Sequence, residues 1–270
     1  LFTVYEPIEQ EYREPPFSVQ HPFLFRYQHA LKIAALVVFL CIPLFLLFFY
    51  LTKPMIKRLE ASTEIVEKIL PDGTAVTLNT GSTLRYPSRF KSDFRNVALT
   101  GEAYFEVATD EKKPFVISFG NIRVQVFGTS FYVNTEANEE SVEVILNSGK
   151  VAVFYEDKAS KKVMLIPGEK AVILHEQEEI IKSLNNDANF LSWKTRKFIF
   201  NNDPLNSIIL NLNRVYHSNI EMAGNISDCR LTATFDNQSL ESVLHVLSST
   251  LNLKIEDDGN LILISGEGCK

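Results

Sequence analysis

The chain has 270 residues, 46% of them hydrophobic, and a formal net charge of −6. That length allows one or two domains with a sizeable core. A mildly acidic chain without a basic cluster lacks the Lys and Arg density that phosphate neutralisation requires, which excludes direct nucleic-acid binding.

Residues 1–32 contain Pro7, Pro15, Pro16 and Pro22 and hold no helical or strand period. The segment is too short to carry a core of its own and reads as a juxtamembrane tail, mostly disordered. Ile33–Leu51 then runs IAALVVFLCIPLFLLFFYL without a charge, bracketed by Lys32 and Lys53. As a helix it would cover about 28 Å, close to the hydrocarbon thickness of a bilayer. Pro43 lies inside it, which a membrane helix tolerates, and the stretch is apolar on every face rather than on one stripe. It is too long for a signal-peptide core, and the following TKPMIKR offers no small-residue cleavage site. We therefore expect an uncleaved transmembrane helix over 33–51. Arg26 and Lys32 precede it and Lys53, Lys57 and Arg58 follow it, so the positive-inside rule does not by itself place the N-terminus in the cytoplasm.

From Thr63 to Leu184 the pattern is one of short strands. Val76–Leu78 and Thr83–Tyr86 flank a turn at Asn79-Thr-Gly81; Val97–Leu99, Ala103–Val107, Phe115–Ser118, Arg123–Phe127 and Ser130–Asn134 follow, and Val142–Leu146, Val151–Tyr155, Lys162–Ile166 and Ala171–His175 complete the set. Many short strands with Gly and Pro turns and no crossover helix predict a β-sandwich or β-helix-like domain over 52–190. From 191 to 270 the chain repeats at an offset of thirty-five residues. Phe200-Asn-Asn-Asp-Pro-Leu205 matches Phe235-Asp-Asn-Gln-Ser-Leu240, and the stripe Leu205/Ile208/Ile209/Leu212 matches Leu240/Val243/Leu244/Leu247. Each stripe has helical spacing. Asp203 and Asn237 are expected N-caps, with Pro204 in the first helical turn. This predicts two β-α-β halves, each needing the other to cover its helix, with both helices on one face of a short sheet. The fold class is thus mainly β plus α+β behind a single transmembrane helix.

Few residues suggest chemistry. Glu102 and Glu106 share a strand face, but no His or metal-ligand partner accompanies them, and the five His residues lack a paired zinc spacing. No metal or cofactor is expected. Gly259, Gly266 and Gly268 read as turn glycines, since no helix follows them to make a phosphate loop. Cys41 falls in the apolar run. Cys229 and Cys269 form a disulfide or remain two free thiols; the bridge is permitted if this region lies outside the cytoplasm. Strand edges of a small α+β module can accept an added strand, which makes Arg230, Thr232 and Thr234 on one strand, and Leu261 and Leu263 on another, candidates for partner docking.

Several motifs resemble the FecR family: Leu70-Pro-Asp-Gly-Thr-Ala-Val-Thr-Leu-Asn79, Leu84-Arg-Tyr-Pro87, Leu99-Thr-Gly-Glu-Ala-Tyr-Phe-Glu-Val107, Val126-Phe-Gly-Thr-Ser-Phe131 and Asn147-Ser-Gly-Lys-Val151. The closing repeat is similar to the short N-domain of secretins and TonB-dependent transducers. The resemblance implies a single-pass inner-membrane anti-sigma regulator with periplasmic C-terminal domains. Its partners would be an extracytoplasmic-function sigma factor, the signalling domain of an outer-membrane TonB-dependent transporter, and the bilayer itself. Some members cleave themselves at a Gly-Thr bond, which the resemblance places at Gly128-Thr129. The segment before the span is shorter than a sigma-gripping helical bundle, so either the N-terminus is missing or this member signals differently. An anchored periplasmic glycan- or surface-binding protein is the alternative, and it requires aromatic side chains exposed on a β face.

Overall fold

The computed structural model describes residues 28–51, 54–138, 141–159, 161–174 and 177–269. The tail expected before residue 28 and the last residue of the expected strand ending at His175 lie outside them. The chain divides into two units, Leu1–Lys53 and Pro54–Lys270.

Among the described residues the first unit contributes one helix, α1 (Gln28–Leu51), 24 residues long with Pro43 inside it. It starts ahead of the uncharged run. Side chains are described from Lys32 to Phe48 and all are exposed. Among the described residues no helix is by itself long and apolar enough to cross a membrane.

The second unit opens with fourteen strands. These are β1 (Ile56–Glu60), β2 (Val66–Ile69), β3 (Ala75–Leu78), β4 (Thr83–Pro87), β5 (Arg95–Thr100), β6 (Glu102–Glu106), β7 (Phe115–Phe119), β8 (Ile122–Val126), β9 (Ser130–Asn138), β10 (Ser141–Ser148), β11 (Val151–Tyr155), β12 (Val163–Leu165), β13 (Glu169–Leu174) and β14 (Glu179–Leu184). They form two seven-stranded sheets, ordered β1-β4-β5-β7-β8-β11-β12 and β14-β13-β10-β9-β6-β3-β2. The chain changes sheet after almost every hairpin. One consequence is the parallel pair β5–β7, whose crossover is not a helix but β6 in the opposite layer.

Alternation explains the layers. In β5 the buried residues are Arg95, Val97 and Leu99, with exposed ones between them, and in β8 they are Ile122, Val124 and Val126. These side chains meet Leu78, Phe105, Phe131, Val144 and Ile173 of the other sheet in one core. Phe105 and Phe131 stack there at 5.5 Å between ring centroids, within the range of favourable aromatic pairs. β11 is buried on both faces, because the Lys162 ammonium lies 4.5 Å from the centre of the outward-facing Phe154 ring.

One charged residue sits in this core wall. The Arg95 side chain is 3% exposed. Its Nη1 donates to Asp72 Oδ2 at 3.0 Å and to the Ala108 carbonyl at 2.7 Å, and its Nε donates to the Lys113 carbonyl at 2.8 Å. Asp72 also accepts from the Thr74 amide and hydroxyl. The turn Leu70–Gly73 is thereby fastened to the start of β5 and to the segment leading into β7.

The C-terminal part adds α2 (Ser192–Thr195), β15 (Lys197–Pro204), α3 (Leu205–Tyr216), β16 (Ile220–Gly224), β17 (Arg230–Asp236), α4 (Leu240–Leu251), β18 (Lys254–Asp257) and β19 (Ile262–Gly266). Both halves of the repeat are present: α3 and α4 begin thirty-five residues apart. The single short sheet expected for them is not. β15 pairs only with β17, while β16, β19 and β18 make a second sheet in that order. Within each half the strands before and after the helix therefore go to different sheets.

Breaking a buried ion pair leaves a desolvated charge uncompensated, at a cost of about 3–5 kcal/mol. Asp72→Ala is expected to destabilise the Pro54–Lys270 unit by this amount, read as a drop in the urea midpoint. An unchanged midpoint would show that Arg95 finds other acceptors.

Candidate functional site

The two parts of the second unit meet on the outer face of the second sheet. Tyr104 of β6 lies opposite Tyr132 of β9, which lies opposite Ile145 of β10. These three point away from the sandwich core and belong to the same buried cluster as Trp193, Phe198, Leu205, Ile208, Leu212 and Val243. Phe190 meets Tyr132 edge to face at 5.9 Å, and the Lys194 ammonium lies over the Tyr104 ring while pairing with Glu67 at 3.4 Å. Polar bonds fix the register. The Tyr132 hydroxyl donates to Glu102 at 2.7 Å, Asn79 Nδ2 donates to the other oxygen of the same carboxylate, and Arg214 Nη2 donates to the Asn189 carbonyl. Burial, reinforced by the Glu102 carboxylate, pushes the Tyr132 hydroxyl well above the usual tyrosine range, so it stays a proton donor. Glu102 is thus a structural acceptor, and Glu106, four residues on along the same face, is exposed.

The repeat extends to backbone detail. Asn202 and Asn237 both have positive φ, as do the helix C-caps His217 and Asn252; each pair is thirty-five residues apart. The expected N-caps are displaced. Asp203 turns its carboxylate back to the Asn201 amide, at a register shift in β15, and Pro204 itself occupies the cap position. The first amides of α3 are instead taken by the Cys229 and Ser227 carbonyls at 2.7 and 3.1 Å. In the second half Asn237 is likewise not the cap; Ser239 is, and its hydroxyl accepts from the Ser242 amide.

Cys229 and Cys269 are joined by a disulfide, with Cα atoms 5.4 Å apart. The bridge ties the loop that satisfies the start of α3 to the chain beyond β19. Of the candidate docking strands, β17 keeps one free edge, since it pairs only with β15. Arg230, Thr232 and Thr234 are exposed on one of its faces. Arg230 donates to the Asn202 carbonyl and Thr232 accepts from the Asn202 amide. The other proposed edge does not exist: Leu263 lies in β19, which is hydrogen-bonded on both sides by β16 and β18, and Leu261 sits in the turn before it. The edge strands of that sheet are β16 and β18.

Beside β18 is a groove that sequence reasoning did not single out. It has a volume of about 580 Å³ and is lined by Leu240, Leu244 and Ser248 of α4 and by Ile255, Asp257 and Ile262, with Glu241 and His245 at its rim. The corresponding place in the first half is sealed. Leu205 and Ile220 are fully covered there, whereas their counterparts Leu240 and Ile255 are half-exposed. Asn213 makes three hydrogen bonds that lock the start of β16, while Ser248 in its place makes one, to the Leu253 carbonyl. The unequal pair Asn213/Ser248 within an otherwise matched repeat is the sequence signal for this opening.

Gly128 and Thr129 lie between β8 and β9. Thr129 is buried and its hydroxyl donates to the Lys150 carbonyl at 3.1 Å. A side chain at Gly128 would strike Thr109, and one at Gly149 would strike the Gly128 carbonyl and Thr129, so the Gly-Thr and Asn-Ser-Gly-Lys motifs close on each other. Among the described residues no three His, Cys, Asp or Glu side chains gather as a metal site. Trp193 is 1% exposed in the junction and offers no stacking face to a glycan.

The model for the FecR protein family matches residues 58–152, and that for the FecR C-terminal region matches 197–264. Two crystal structures of a candidate anti-sigma factor from Parabacteroides distasonis ATCC 8503 are similar to the chain. One is 31% identical, covering 77% of this chain and 98% of its own with a TM-score of 0.60; the other is 30% identical, covering 78% and 99% with the same TM-score. Among curated proteins none matches.

The disulfide closes a sequence separation of 40 residues, for which loop-closure entropy predicts about 4 kcal/mol. Reduction or Cys269→Ser is expected to lower the melting temperature of the C-terminal part, followed by fluorescence of Trp193, the one Trp of the chain. An unchanged melt would mean that the loop before β17 holds α3 without the bridge.

Proposed function

Because the chain belongs to the FecR family, we propose that it is a membrane-anchored anti-sigma regulator that carries a signal across an inner membrane. In this reading the uncharged run Ile33–Leu51 crosses the membrane and the chain before it lies in the cytoplasm, toward an extracytoplasmic-function sigma factor. The Pro54–Lys270 unit stands in the periplasm, where it receives the signalling domain of an outer-membrane TonB-dependent transporter. The observation that carries the reading is the ordered match of both FecR models together with a candidate anti-sigma factor whose structure this chain covers almost entirely. The uncharged run Ile33–Leu51 supports the anchor, since a stretch apolar on all faces gains nothing from water. The Cys229–Cys269 bridge supports an oxidising compartment for the far unit.

Regulated release could begin at Gly128-Thr129. The Thr129 hydroxyl would leave the Lys150 carbonyl and attack the Gly128 carbonyl carbon. The C–N bond breaks as the ester forms, the proton passes to the freed amine, and water then hydrolyses the ester. The two pieces would stay together, because β8 and β9 are each hydrogen-bonded into a different sheet of one sandwich.

Two measurements test this. In whole cells the chain is expected to resist carbonate extraction from membranes, and after mild reduction the exposed Cys269 is expected to react with a membrane-impermeant maleimide from the periplasmic side. A chain recovered in the soluble fraction ends the proposal. Intact mass is expected to show a cut at residue 128 that Thr129→Val removes; one uncut species removes the cleavage step and leaves the relay standing.

A further inference from the structure

We propose that the groove between α4 and β18 is where a partner protein docks, by laying an extended segment with aliphatic side chains and flanking Lys or Arg against the edge of β18. The inference rests on the signal-receiving role proposed above for this unit and assigns its contact point.

In the first half of the repeat the loop before β17 comes back to the start of α3 and gives it the Ser227 and Cys229 carbonyls, and Ile226 in that loop is fully buried. In the second half the chain turns away instead. Asp257 and Asp258 accept the Gly259, Asn260 and Leu261 amides in a tight turn, and the chain leaves directly as β19. Among the described residues no segment returns over α4. Leu240, Leu244, Ile255 and Ile262 line an open apolar floor, whereas Leu205 and Ile220 in the first half are buried, and α4 is capped by its own Ser239, so a visitor need not supply a cap. Beside the floor, β18 ends its sheet, leaving one row of backbone donors and acceptors unpaired by any strand. Strand addition to such an edge gives main-chain affinity, and side-chain pockets give selectivity.

Charge settles the occupant. The charged residues lining the groove are Glu241 and Asp257, both acidic; on β18 the acidic Glu256 pairs with Lys254. A segment with cationic ends is drawn to this rim, and one with acidic ends is repelled. A strand with alternating side chains places its aliphatic residues on the floor and leaves the intervening ones to solvent.

The test uses the full chain in detergent and a fluorescein-labelled peptide of alternating Leu and Thr flanked by two Lys at each end. Saturable binding is expected, weakened at least tenfold in the double variant Glu241→Lys/His245→Trp, whose positions are exposed on α4 and lie outside the core. The same peptide with Glu in place of Lys is expected not to bind. Absence of saturable binding by the Lys peptide, or binding that the double variant leaves unchanged, overturns the groove as a docking site. Self-association of the chain in sedimentation, abolished by the same double variant, overturns the partner protein in favour of a second copy. A transporter signalling domain is titrated in parallel. If the peptide binds at the groove and that domain does not bind at all, the transporter falls and the groove stands.

Discussion

The row Tyr104, Tyr132 and Ile145 holds the Pro54–Lys270 unit together. A sandwich normally turns polar residues outward, and three large side chains left in water on neighbouring strands would cost several kcal/mol at about 1.5–3 kcal/mol each. Covering them with Trp193, Phe190 and the helices of the repeat recovers that energy. The cover is also directional. Lys194 lies over the Tyr104 ring and reaches back to Glu67, and Phe190 sets its edge against Tyr132, so the contacts that cross from the C-terminal part fall on named side chains of the sandwich.

The internal repeat shows how duplication separates two tasks. Both halves fold a twelve-residue helix from matching stripes and end it on a left-handed residue, His217 in the first and Asn252 in the second. The first half uses its loop, its Asn213 and the disulfide to seal itself, and it contributes the floor of the junction. The second has a smaller side chain at Ser248 and a turn where the first has a loop, and its apolar face remains open. One copy serves stability and the other keeps a surface to spare.

Much of this could be read from residues alone, and the boundary is physical. Alternation in β5 and β8 reports which side chains face inward, because the period of a strand is local. The thirty-five-residue repeat reports both helices, because helix spacing is local as well, but not which residues cap them. The order of strands in a sheet is not local, which is why β19 could be taken for an edge when it is the middle of three, and why β15 and β16 could be assigned to one sheet. Strands β1, β2 and β14 carry charges on mostly exposed faces and so leave a weak trace. The seat at Tyr104 and Tyr132 was hidden for a related reason: an outward apolar residue looks like an inward one until the partner that covers it is known. Asp203 was a reasonable cap by residue type, but the strand bulge before it turned the carboxylate to a nearer amide.

The alternation of the chain between the two layers has a consequence for how the protein comes to exist. Since β4 and β5 lie in one sheet, β6 in the other, and β7 and β8 in the first again, neither sheet can be completed while the other is absent, and the last strand in sequence borders the last but one at the far rim of its layer. A topology so dominated by distant pairings folds slowly. During that interval the bare strands can pair with those of neighbouring molecules, so a chain of this design gains from escorts that shield it until the sandwich's final hairpin, β13 and β14, has closed.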